Sequence, residues 1–420
     1  MKLCGSYIIT GGNRLEGESY VSGSKNASLP ILAATVLNNG ITKLYNVPNI
    51  HDTKVMIEIL RNLGCKVKRV RDKIVVDARG IKKHEIPEEL MRKMRSSVIL
   101  AGALIGRLKK ATFSCPGGCD IGARPIDLHL KAFENLGINI SKNTGYIHCT
   151  CDTIIGEKIH LDFPSVGATE NAMLASVLGK GTTVISNAAM EPEIVDLQNF
   201  LNKMGAKITG AGTNEITIQG VQKLKDIGYQ VMPDRIEAGT LLCAVATTGG
   251  NITLKKVNPE HLTPVLEKLK ECGCKIQEEK ETVILEAPKK LKAVDIKTMP
   301  YPGFPTDMQA ILVSILCTAK GTSIVTENIF ENRYKYTNEL KRMGAKITIE
   351  GRTAIVKGVR KLTKGVVEAA DLRGGAALVL ASLTASGKTK VTNIEYILRG
   401  YENLDEKLNS LGAKITKEVE

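Results

Sequence analysis

One phrase recurs six times along the chain: "LRNLGCKV" (60–67), "FENLGINI" (133–140), "LNKMGAKI" (201–208), "LKECGCKI" (269–276), "LKRMGAKI" (340–347) and "LNSLGAKI" (408–415). Its glycines fall at 64, 137, 205, 273, 344 and 412, never fewer than 68 nor more than 73 residues apart. A period this even marks one folding unit repeated, not a chain of unrelated domains. Each phrase reads as the end of an amphipathic helix, a glycine that closes it in the left-handed conformation, and an entering strand. The residues beyond that glycine, such as "KITIEGRTAIVKGV" (346–359), alternate and are β-branched, the pattern of a hairpin of short strands.

A second glycine precedes the first by about one helix and one strand in five of the six units, at 40, 181, 250, 321 and 387. The second unit has Lys109-Lys110 there. Each of these turns ends a helix that is apolar almost all round, and such a helix belongs inside a domain. The repeat is therefore helix, strand, helix, then two or more strands. With 420 residues, too many for one core, six repeats predict two α/β domains of three, buried helices within and sheets outside.

The polar residues follow the same period. Lys25, Arg95, Gly167, Arg235, Asp307 and Arg373 stand 37 to 42 residues before their repeat glycines, at the expected start of each buried helix. Free backbone N–H groups there favour anions, and an acid would suit the helix better than the cations present. Arg124 and Arg399 each lie 13 residues before their glycine and Arg333 lies 11 before. A single arginine of this kind reads as a surface ion pair. Cations recurring at equivalent positions read instead as one anion-binding cleft between the domains, with guanidinium forks suited to carboxylate or phosphate. The net charge of +14 agrees with an anionic partner. Nucleic acid is a poor candidate, because tryptophan is absent and aromatics make up 4% of the chain.

Other signals are negative. "ASGKT" (385–389) resembles the end of a phosphate-binding loop, but Ser382 stands where that motif needs glycine and the turn runs from helix to strand. Cys149-x-Cys151 and Cys272-x-Cys274, in strand-like stretches, have no second ligand pair at zinc spacing, so no metal is expected. The start of the chain carries no apolar signal core and no run is long enough to span a membrane.

"CPGGCDIGARPIDLHL" (115–130) departs from the repeat: two glycines and Cys119 stand where another unit turns into its helix. A loop cysteine alone is usually incidental. Beside Arg124 it becomes a candidate nucleophile or general acid; neighbouring positive charge lowers its pKa, whereas a bound phosphate raises it.

"GSKNASLPILAATVL" (23–37), "PGGCDIGARPIDLHL" (116–130), "PSVGATENAML" (164–174), "EPEIVDLQNFLNKMGAKI" (191–208), "YPGFPTDMQA" (301–310), "ENRY" (331–334), "DLRGGAALVLA" (371–381) and "RGYENLDEKL" (399–408) together resemble the bacterial UDP-N-acetylglucosamine 1-carboxyvinyltransferases over essentially the whole chain. That resemblance implies the enolpyruvyl transferase fold, two inside-out α/β barrels of three repeats each. It also implies a division into 25–231 and 1–24 plus 232–420, because in the family the first strand completes the C-terminal domain. The implied reaction joins phosphoenolpyruvate to the 3-hydroxyl of UDP-N-acetylglucosamine with release of phosphate, the first committed step of peptidoglycan synthesis and so of cell-wall growth, shape and division. The implied setting is the bacterial cytoplasm, as a monomer or weak homo-oligomer, without cofactor, metal, nucleic acid or membrane.

The roles implied are specific. Cys119 resembles the general acid toward the enol methylene and the thiol alkylated by fosfomycin. Asp307 resembles the base near the sugar hydroxyl. Lys25, Arg124 and Arg399 match contacts to the phosphoenolpyruvate phosphate and carboxylate. Asn26, Arg95, Arg333 and Arg373 match further cleft residues. Arg124, Pro125, Ile126, Asp127 and Leu128, then Ser165, Val166 and Gly167, with Asp307 and Ile329, match contacts to the sugar nucleotide. Phe163 departs from relatives that carry lysine there. Two other functions compete with this one: 5-enolpyruvylshikimate-3-phosphate synthase chemistry, with the same donor, and a non-catalytic anion- or RNA-binding protein, which leaves the acid at Asp307 without a purpose.

Overall fold

The structure, a computed structural model, describes residues 5–70, 73–114 and 126–419. The described chain divides into two compact units, one running up to Ser22 and again from Pro233 to its end, the other lying between Gly23 and Met232.

Six apolar helices form the interior of the two units: α1 (Lys25–Ala34), α2 (Ile99–Leu108) and α3 (Val166–Ser176) in the central unit, α4 (Arg235–Thr248), α5 (Gln309–Leu316) and α6 (Leu372–Thr384) in the other. Nearly every residue in them is buried. In the second unit all three pack against one another; in the central unit α2 packs on both α1 and α3. Four start with a polar side chain that satisfies open N–H groups: Ser24, Ser165, Asp234 and Asp371 each accept from a backbone N–H of the first turn. A sheet lies outside each helix, three per unit.

In four of the six repeats the strand after the buried helix pairs antiparallel with the end of its own hairpin and parallel with a short strand from elsewhere in the unit; in the second repeat Lys110–Ser114 has only an isolated parallel bridge, Glu85 to Thr112, on that side. Lys158–His160 joins Thr182–Ser186 in this way, and Ile227–Gln230 returns from the third repeat to Ile41–Tyr45 of the first, closing the cycle. In the other unit Ile296–Lys297 joins Thr322–Thr326, Val366–Glu368 joins Lys388–Thr392, and Glu16–Tyr20 joins Asn251–Lys255. The sixth hairpin is completed by the other end of the chain. Gly5–Thr10 lies antiparallel between Lys388–Thr392 and Ile415–Val419, where every other repeat uses its own last strand.

All six repeat glycines have positive φ, between 75° and 110°, as the helix-closing reading requires. The second series needs correction at two places. The residue closing α4 is Gly249 (φ 75°); Gly250 is required because a Cβ there would lie 1.7 Å from the Leu15 carbonyl oxygen. Gly40 likewise makes room, for the Asp226 carboxylate, and has no positive φ. In the second repeat Lys109 itself takes the left-handed turn at φ 61°. The Cys272-x-Cys274 pair is not within a strand: Cys272 ends the helix Thr263–Glu271, and the strand starts at Lys275. Burial pushes both thiols up, to about 12, so they are inert packing groups. None of the described helices is long and apolar enough to cross a membrane.

Candidate functional site

The six residues singled out by the repeat all lie in the first turn of, or the turn leading into, a buried helix. Lys25 and Arg235 open α1 and α4. Gly167 and Arg373 are second in α3 and α6. Arg95 and Asp307 sit in the 3-10 turns Arg95–Val98 and Thr306–Met308 that lead into α2 and α5.

In the unit containing the chain ends these starts converge. Asp307 receives Arg333 Nη2 on one carboxylate oxygen at 2.7 Å and Arg373 Nη2 on the other at 2.9 Å, with Arg373 Nε at 3.2 Å. The two arginine side chains are 4% and 3% exposed, against 28% for Asp307, so the carboxylate is the part of this trio that reaches solvent. Arg373 also lies 5.2 Å from the centre of the Tyr401 ring. Burial works against its charge, but Asp307, Tyr401 and Asp234 outweigh it and hold the guanidinium above its ordinary range. Arg333 Nε and Arg373 Nη1 are buried and find no hydrogen-bond acceptor among the described residues. Arg235 stacks 5.6 Å from the centre of the Tyr301 ring. Arg399 ends the short turn Ile397–Arg399 and is half-buried. Ile329 follows the buried Glu327, whose carboxylate accepts its N–H at 2.9 Å.

In the central unit Lys25 Nζ meets Asp52 at 2.9 Å, with Asp52 almost wholly buried. Asn26, beside it, is half-buried, as is Arg95. His129, on the helix Asp127–Asn135, joins the second and third repeats. Its Nδ1 lies 2.7 Å from Asn171 Nδ2, so that nitrogen accepts, while Asn171 also donates to Val98 O and accepts from Gly102 N. A Cβ on Gly167 would sit 2.9 Å from His129 Cε1, which is why that helix start has no side chain. Burial, and then the Arg95 charge, push the imidazole down to about 4. Ile126 and Leu128 lie at the start of this helix, with Asp127 exposed as its first residue. Ser165 caps α3 through Ala168 N, and Val166 is its first residue; Phe163 nearby is 43% exposed. Cys119, Arg124 and Pro125 lie outside the described residues.

The structure thus brings together Asp307, Arg333 and Arg373 in one unit, and Arg95, Gly167 and the Ile126–Leu128 turn around His129 in the other. Sequence reasoning passed over Asp52, His129, Asn171, Glu327 and the capping aspartates. The caps had a signal, a Ser or Asp directly before four of the six apolar helices. Asp52 and Glu327 had none, because their partners are distant in the chain or are backbone groups.

This arrangement supplies a carboxylate able to take a proton or orient a hydroxyl, held by guanidinium groups with N–H capacity to spare. Comparison with known proteins places it. The sequence model of the EPSP synthase (3-phosphoshikimate 1-carboxyvinyltransferase) family matches residues 9–408. The chain is 58% identical, over 98% of its length and 99% of the relative's, to UDP-N-acetylglucosamine 1-carboxyvinyltransferase 2 of Caldanaerobacter subterraneus, and 51% identical, over 98% and 99%, to UDP-N-acetylglucosamine 1-carboxyvinyltransferase 2 of Carboxydothermus hydrogenoformans. Among solved structures, the enolpyruvyl transferase NikO of Streptomyces tendae superposes with a TM-score of 0.89 at 25% identity, covering all of both chains. The EPSP synthase of Acinetobacter baumannii has the same fold, with a TM-score of 0.75 at 19% identity over 99% of this chain and all of that one. On a full-length match at this identity, the chain belongs to the UDP-N-acetylglucosamine 1-carboxyvinyltransferases of the enolpyruvyl transferase family.

Proposed function

We propose that the protein transfers the enolpyruvyl group of phosphoenolpyruvate to the 3-hydroxyl of UDP-N-acetylglucosamine and releases phosphate, and so commits the sugar nucleotide to peptidoglycan. The observation that carries this reading is the identity of 58% over nearly the whole chain with a relative of that name. The likeness to the solved EPSP synthase, at 19% identity, extends to the fold alone, so shikimate chemistry has less support. A non-catalytic reading leaves the guanidinium-held carboxylate at Asp307 unexplained.

The chemistry assigns each group one task. Phosphoenolpyruvate carries roughly −3 near neutral pH, and Lys25, Arg124 and Arg399 meet its phosphate and carboxylate. Cys119 gives a proton to C3, which leaves oxocarbenium character at C2. The 3-oxygen of the sugar attacks C2 while Asp307 orients the hydroxyl and takes its proton. The tetrahedral adduct then loses a proton from C3, the C–O bond to phosphate breaks, and the enol ether remains. Cys119 is also the site where fosfomycin adds. Each acid or base is worth about 10²–10⁴ in rate. Arg124 to Leu128, Ser165 to Gly167, and Ile329 contact the nucleotide sugar, with Asn26, Arg95, Arg333 and Arg373 completing the set. The spare buried N–H groups of Arg333 and Arg373 support an anionic or hydroxyl-bearing ligand beside Asp307.

Phosphate release measured with both substrates tests the reading. Turnover with UDP-N-acetylglucosamine that fosfomycin abolishes is expected. Turnover with shikimate-3-phosphate in its place overturns it.

A further inference from the structure

Glu327 is completely buried, directly after the strand Thr322–Thr326. Among the described residues no lysine or arginine pairs with it; four neutral donors satisfy it instead. One oxygen accepts Thr298 Oγ1 at 2.9 Å, Ile329 N at 2.9 Å and Phe330 N at 3.2 Å. The other accepts Thr306 Oγ1 at 2.9 Å. Thr298 is in turn fixed by Asn328, whose N–H donates to its hydroxyl and whose amide donates to its carbonyl. The Thr306 carbonyl takes Arg333 Nη2 at 3.3 Å, the same nitrogen that holds Asp307. A carboxylate serving only its own turn needs the two backbone donors at 329 and 330. The bonds to Thr298 and Thr306 reach separate segments and join them.

We infer that Glu327 is a positioning residue for the acceptor side of the reaction: one buried carboxylate sets the turn carrying Asp307 and the backbone carrying Ile329 as a single piece. This rests on the reading that Asp307 and Ile329 meet the sugar nucleotide. Reacting groups displaced by about 1 Å lose about a hundredfold in rate, so a support of this kind is worth more to turnover than to the fold.

The test is a kinetic split. Thr306→Val keeps side-chain shape and removes only the link to the Asp307 turn. It is expected to lower kcat/KM for UDP-N-acetylglucosamine by about tenfold to a hundredfold, with the KM for phosphoenolpyruvate unchanged within about twofold. Glu327→Ala is expected to do the same more severely. Glu327→Gln is expected to restore most of the loss, since its amide oxygen accepts the three bonds and its N–H donates to the Thr306 hydroxyl. Unchanged kinetics in Thr306→Val overturns the inference. So does a loss of rate that disappears once turnover is divided by the folded fraction measured by near-UV circular dichroism, the mark of a purely structural role. If Glu327→Ala does not fold, Thr306→Val decides. Wild-type protein that never turns over the sugar nucleotide defeats the functional reading itself, and this inference with it; active wild type with indifferent variants defeats only the inference.

Discussion

Arg373 shows what a cation costs when it is nearly sealed from water. Its charge is compensated by Asp307 through two hydrogen bonds and by the Tyr401 face, and no lysine could reproduce that fork. Arg373→Ala is expected to lower stability by about 3 kcal/mol in denaturant unfolding, because it strips Asp307 of half its support; Arg373→Lys should recover only part. Under the proposed chemistry, Cys119→Ser should reduce phosphate release at least about a hundredfold, the low end of general-acid catalysis, since an alcohol is a poor acid. Cys119→Asp should retain turnover and lose fosfomycin inhibition; a variant still inhibited places the target elsewhere. Two buried groups also set a pH dependence of opposite sign. His129 is neutral down to about 4 when folded but protonates near 6.5 when unfolded. The unfolded chain therefore binds more protons in that window, and stability is lost as pH falls through it, by about 3 kcal/mol. Asp196, raised to about 6 chiefly by burial, does the reverse and loses a similar amount as pH rises from about 4 to 6. The two largely cancel between 4 and 6. Measured against the wild type at each pH, the unfolding free energy of His129→Gln should therefore fall as pH rises from 4 to 6, and that of Asp196→Asn should rise; a constant difference in both variants contradicts these assignments.

At the scale of elements, the six helix-closing glycines and the two space-making ones predict different penalties. Nothing lies within 4 Å of a Cβ built on Gly205, so Gly205→Ala meets only the strain of φ 105° and should cost about 1–2 kcal/mol. Gly250→Ala drives a methyl into the Leu15 carbonyl and should cost more, with a clear drop in Tm. The buried helices, their hairpins and the position of the polar residues at their starts were legible because each is a local pattern repeated six times. The slip from Gly249 to Gly250 arose because two adjacent glycines serve two purposes, one conformational and one steric, and only coordinates separate them. Of the site, Asp307, Arg333 and Arg373 could be named from repeat position and resemblance, but not their union. Nothing in the sequence says that an acid opening one buried helix pairs with an arginine opening the next. Lys25 and Asp52 were half visible for the same reason.

At the scale of the molecule, the sixth sheet is finished by the first strand. Gly5 pairs with Val419 and Ile9 with Ile415, the register of a hairpin whose connection has been cut. Joining Val419 to Gly5 by a short linker and opening the chain between Gly12 and Asn13 should therefore give a permuted protein that folds with turnover within about threefold of the original; failure to fold would show that Gly5–Thr10 needs its covalent link to Glu16–Tyr20. Deleting residues 1–10 should instead expose the edges of Lys388–Thr392 and Ile415–Val419 and make the protein aggregate.

The same strand sets an order of events at the ribosome. Gly5–Thr10 is made long before both neighbours that hold it, Lys388 lying 378 residues after Thr10. At ~5–20 residues per second that delay is roughly 20 to 75 s. Over that interval the segment from Gly23 to Met232 has all three of its sheets and can settle, while Gly5–Thr10 waits unpaired for Lys388–Thr392 and Ile415–Val419.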